Sequence, residues 1–263
     1  MRTFMLVFSA VSGMLASIGA HASPIQVNGN LNDWNINPAT WISSNPLVHT
    51  TIEDQHNSFL SPGYGGQAYD AEAMYALVDG NTLFIALATG HEPNTANRPS
   101  TNNYGAGDFA IDFGKDGTYE VGINVKPKWD SFGVEGGVYK NVVWNYGLWN
   151  DNAEPDYLKS EHPTSMIDGV SVGQVDRIAV GPGHIGYGNW ANDRHYFYEI
   201  GLSLDVLRNS GWTGESFNIH WTQNCANDSI MVDPPANVPE PGTLALLPLG
   251  LIGLAALRRR KSA

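Results

Sequence analysis

The chain has 263 residues, 42% of them hydrophobic and 15% charged, which suits one large domain or two small ones and excludes a wholly disordered chain. Fourteen basic against 26 acidic residues leave a net charge of −12. This argues against nucleic acid as a partner, because that affinity rests on neutralising phosphates with cations. The single cysteine, Cys225, excludes an intramolecular disulfide and a zinc site built on several thiolates, while 29 glycines and 28 aromatic residues favour strands and turns over helical bundles.

In chain order, residues 1–22 read as a secretory signal. Arg2 is the basic start, Phe4 to Ile18 is apolar, and Ala20-His21-Ala22 has the small-x-small spacing that signal peptidase cleaves after. Residues 23–232 read as one exported β domain. Strands are predicted over Thr82–Ala88, Phe109–Phe113, Tyr119–Val125, Gly137–Trp144, Val170–Val180, Tyr196–Leu204 and Phe217–Thr222, the last of them taken as the final strand. Asp116-Gly117 predicts a hairpin turn. Alternation places Tyr196, Tyr198, Ile200 and Leu202 on one side of a sheet. Helical pattern is confined to Ser203–Asn209, with Ser203 as N-cap and a stop before Gly211. The fold class is therefore all-β, a single β-sandwich with one short helix.

Residues 233–238, with Pro234 and Pro235, read as a stalk. Pro239, Glu240 and Pro241 then precede an apolar run from Thr243 to Leu257, closed by Arg258, Arg259, Arg260 and Lys261. The run is shorter than the roughly 18–20 residues of an ordinary span. By physics alone it is a weak tail anchor, a hydrophobic helix whose basic stop stays on the cytoplasmic side. These three parts, in this order over residues 239–263, resemble the PEP-CTERM sorting signal. The resemblance implies a Gram-negative bacterium that makes exopolysaccharide, passage through the inner membrane, and processing of the tethered tail by an exosortase. The destination is then the cell surface or a biofilm matrix. From Asp33 to Glu240 lie nine basic and 26 acidic residues, a net of −17, so the exported body should repel anionic polymers unless divalent cations bridge them.

Val27-Asn28-Gly29-Asn30-Leu31-Asn32-Asp33-Trp34 is similar to the opening strand of carbohydrate-binding module family 9-like and DOMON-like sandwiches. The resemblance spans most of residues 25–222 and implies a jelly-roll-like topology. Asn28 stands where those domains usually carry Asp, which weakens a metal role there. His220-Trp221-Thr222 with Cys225, Asn227 and Asp228 also resembles a segment found before the stalk in a subset of PEP-CTERM proteins. It reads as the structural end of the last strand, or as a free thiol at Cys225 able to link two chains outside the cell.

Catalytic signatures are missing. There is no G-x-S-x-G and no H-E-x-x-H, and the eight histidines are scattered, so the reading is non-enzymatic. Calcium is the expected ion, with Asp151, Glu154 and Asp156 as candidate ligands in a loop that lacks EF-hand spacing. Trp129, Trp144, Tyr146, Trp149, Tyr187 and Trp190 sit in or beside Gly/Asn-rich segments and form the candidate glycan platform, whereas Trp34, Trp212 and Trp221 are assigned to the core. The leading reading is an exported protein that binds or packs within polysaccharide. The alternatives are a haem-binding electron-transfer domain using Met74, Met166 or Met231, and a purely structural matrix protein.

Overall fold

The computed structural model describes residues 25–53, 65–126, 132–148 and 162–234. Within them, besides three short 3-10 turns, eleven strands and one α-helix follow in order: β1 (His49–Ile52), β2 (Ala71–Asp79), β3 (Thr82–Thr89), β4 (Phe109–Phe113), β5 (Val121–Ile123), β6 (Gly137–Tyr146), β7 (Pro163–Gln174), β8 (Arg177–Val180), β9 (Tyr196–Ser203), α1 (Leu204–Ser210), β10 (Phe217–Thr222) and β11 (Ser229–Val232). They form two antiparallel sheets, one of five strands in the order β1-β2-β3-β9-β8 and one of six in the order β11-β10-β4-β5-β6-β7. Among the described residues no helix is long and apolar enough to cross a membrane. The sorting segment lies outside them.

The inner faces of the two sheets enclose the main core. Met74, Leu83, Ile85 and Leu87 of the five-stranded sheet meet Phe109, Ile111, Ile219 and Trp221 of the six-stranded one. Tyr198, Ile200 and Leu202 of β9 join this core, as the two-residue alternation requires. Fully burying each such side chain contributes about 1.5–3 kcal/mol.

A second apolar layer lies outside the five-stranded sheet. Here Ala73, Ala86 and Ala88 leave room on the sheet surface for Trp34 and Trp41, both wholly buried. The amino-terminal segment that supplies these indoles is fixed by one carboxylate. Glu199 on β9 accepts from the backbone N–H groups of Asn28 at 2.8 Å, Gly29 at 2.6 Å and Asn30 at 3.2 Å, and from Trp34 Nε1 at 2.7 Å. Gly29 is required: its φ is +81° and a Cβ there would meet Gly181 Cα at 2.7 Å.

Three local departures from the sequence reading have physical causes. β4 and β5 pair antiparallel around Asp116-Gly117 as the hairpin signal predicts, but the connection is longer than a two-residue turn, because Asp112 accepts the backbone N–H groups of Asp116 and Gly117 and Glu120 accepts that of Phe113. Side chains close the loop instead, and β5 begins at Val121. Val170–Val180 is not one strand. The chain changes sheets there, with Val175 N–H donating to Gly136 and Asp176 N–H to Gly201. β10 is also not the last strand, since β11 pairs with it through Ile219 and Val232. The helix follows its signals: Ser203 Oγ accepts Asp205 N–H, and Gly211 ends it at φ +118°.

Candidate functional site

The aromatic residues singled out in the sequence do not share a face. Trp144 lies across Gly122 on the outside of the six-stranded sheet, where a Cβ would meet Met166 Sδ at 2.2 Å and Trp144 at 2.9 Å. Its indole N–H donates to the Tyr119 carbonyl at 3.0 Å. Tyr146, two residues on, is 51% exposed. Tyr187 belongs to the opposite side of the sandwich, stacked on Trp41 with ring centroids 5.2 Å apart and edge-on to Phe197. Trp190, in the same β8–β9 loop, is 44% exposed. A single platform of these four is thus excluded by the sheet geometry. Trp129 and Trp149 lie outside the described residues, as do Asp151, Glu154 and Asp156. Trp34, Trp212 and Trp221 are all buried.

A cleft of about 440 Å³ opens at one end of the sandwich. Loops from both sheets build it. Glu92 and Asn94 follow β3, Val125 and Glu135 flank the β5–β6 connection, and Val180, Arg194 and Tyr196 frame the β8–β9 loop. Its lining is polar and planar: two carboxylates, an amide, a guanidinium and a phenol ring over a short apolar floor. Such groups match vicinal hydroxyls and the C–H face of a pyranose. Sequence reading passed over these residues because they come from three separated loops with no motif. The only hint was the Gly/Asn-rich character of the β8–β9 loop.

Among the described residues two groups of carboxylates have metal-ligating spacing, namely Glu53 with Asp70 and Asp228, and Asp112 with Asp116 and Glu120. In the second, the oxygens of Asp112 and Glu120 already cap the backbone of the β4–β5 loop, and Asp116 accepts Thr118 N–H at 2.9 Å. In the first, Asp70 is buried and neither of its oxygens accepts from an N–H or hydroxyl group.

Cys225 is wholly buried and its thiol is pushed up to about 12 by burial. It does not present the exposed thiolate that an interchain link needs, which corrects the crosslinking reading. Of the three thioethers considered for haem, Met74 lies inside the core and Met166 is 2% exposed, while Met231 is 40% exposed in a groove shared with His49.

The fold and the cleft define a two-sheet antiparallel β-sandwich with a polar, loop-built recess at one end. Residues 237–261 match the PEP-CTERM protein-sorting motif. That match implies export, an exosortase as processing partner, and membrane processing toward the cell surface. No curated protein and no solved structure matches the chain.

Proposed function

We propose that this is a non-enzymatic surface protein that binds glycan in the cleft formed by Glu92, Asn94, Glu135, Arg194 and Tyr196. In this reading exosortase delivers the sandwich to a polysaccharide-rich surface or biofilm matrix of a Gram-negative bacterium, and the cleft holds one or two sugar residues of that material. The observation that carries the reading is the lining: planar polar groups beside an aromatic ring, in a recess of about 440 Å³. The acidic body favours neutral glycans over anionic ones. The sandwich would then be of the jelly-roll-like kind that the Val27-to-Trp34 segment resembles.

Affinity electrophoresis tests this. The full chain should be retarded in gels containing neutral polysaccharide, and Tyr196→Ala or Arg194→Ala should restore free mobility. Unchanged mobility of the unaltered chain across a wide glycan panel would overturn the proposal.

A further inference from the structure

The edges of the two sheets meet at three carboxylates. Glu53 follows β1 and Asp70 precedes β2 in the five-stranded sheet, whereas Asp228 precedes β11 in the six-stranded sheet. One carboxylate oxygen from each lies within 4.8 Å of the other two. Asp228 is clamped in place across the sheets: Oδ2 accepts Ala71 N–H at 2.7 Å and Oδ1 accepts Ser229 N–H at 2.8 Å. Each of its oxygens keeps a further lone pair.

Asp70 is different. It is 4% exposed, and neither oxygen accepts a hydrogen bond from an N–H or hydroxyl group; its carboxyl faces that of Asp228 closely enough to share a proton, not a counter-charge. Among the described residues no Lys or Arg forms an ion pair with Asp70 or Asp228. Burying a carboxylate without donor or counter-charge is costly. A cation among the three removes that conflict. In the other acidic group no carboxylate oxygen is buried without a partner, and Asp112 and Glu120 already cap the β4–β5 backbone.

We propose that Glu53, Asp70 and Asp228 bind one Ca²⁺, which ties the edge of the five-stranded sheet to that of the six-stranded sheet. The donors are all oxygen and come from the two ends of the β1–β2 connection and from the β10–β11 connection rather than from a rigid octahedral frame, which suits Ca²⁺ better than Mg²⁺. The ion gives Asp228, the last residue of the His220-to-Asp228 segment, a chemical role. The site is separate from the cleft residues, so loss of glycan binding leaves this inference standing.

The test uses the full chain stripped with EDTA and dialysed. Elemental analysis after re-equilibration with millimolar Ca²⁺ should find one ion per chain, and the melting temperature should rise with Ca²⁺ more than with Mg²⁺. Asp70→Asn should abolish both effects. Because that buried change risks the fold, Glu53→Gln at the half-buried ligand serves as second variant, weakening Ca²⁺ binding about tenfold, as expected for loss of one charged ligand. Asp112→Asn should bind as the unaltered chain does. No bound Ca²⁺, or undiminished binding in a folded Glu53→Gln chain, would overturn the site. An equal response to Mg²⁺ would overturn the choice of ion.

Discussion

The Trp34 indole donates to Glu199 Oε1 at 2.7 Å, joining residues 165 positions apart. Through this bond and three backbone donors, a wholly buried carboxylate organises the amino-terminal layer. Burial raises the Glu199 pKa, opposed by the N–H groups that point at it. Glu199→Gln turns an amide donor toward some of these N–H groups. It should cost roughly 3 kcal/mol, and Trp34→Phe about 1–2 kcal/mol, by loss of bonds to a charged acceptor. Urea unfolding with unchanged m-values checks both. A change under 0.5 kcal/mol for Glu199→Gln, about the scatter of surface substitutions, would contradict the anchoring role.

On the outside of the six-stranded sheet, Lys126 Nζ lies 3.3 Å from Asp108 Oδ2, with side chains 3% and 0% exposed. Asp108 also accepts Met166 N–H at 2.9 Å. Burial pushes its carboxyl up, and Lys126 draws it back. Lys126→Met should destabilise by about 3–5 kcal/mol, since it strands a buried charge. Pairing it with Asp108→Asn should recover part of that loss. A double-mutant cycle by chemical unfolding measures the coupling.

His162 Nδ1 and His220 Nε2 are 3.1 Å apart in stacked, buried rings. Burial and then His162 hold the His220 pKa well below its usual value. The unfolded chain therefore takes up a proton near pH 6.5 that the folded chain refuses. This group's contribution to stability is full above pH 6.5 and is lost as pH falls toward the folded pKa, by about 1.4 kcal/mol per pH unit. Urea midpoints at pH 7.5 and 5.0 should differ less for His220→Asn than for the unaltered chain. An equal difference would contradict a neutral buried His220.

Cys225, 0% exposed and with its pKa raised to about 12, should resist an aromatic disulfide reagent in the native protein and react fully in denaturant. Rapid native labelling would contradict its burial.

The strands with clean alternation were legible in the sequence. Phe109–Phe113 and the Tyr196–Leu202 face lie where periodicity puts them, and Ser203 and Gly211 bound the helix as capping chemistry dictates. What escaped was decided by non-local geometry. The sheet change at Val175–Asp176 depends on partners at Gly136 and Gly201. β11 is four residues long, too short for periodicity to reveal. Glu199 carries no local signal, because the indole it accepts from lies 165 residues away in sequence; Asp228 stands in a segment visible in the sequence, but its cross-sheet partner Ala71 lies 157 residues away. The loop aromatics were visible, but their assignment to opposite sides of the sandwich was not, since it follows from Gly122 on one sheet and Trp41 on the other.

The most direct test of the account is titration calorimetry of the full chain with neutral oligosaccharides prepared from the exopolysaccharide of the cells that export it. Saturable binding at one site per chain is predicted, weakened at least about tenfold, or 1.4 kcal/mol, by Tyr196→Ala with unfolding unchanged. Binding that survives both Tyr196→Ala and Arg194→Ala, or no heat across the panel, would contradict the cleft as the glycan site.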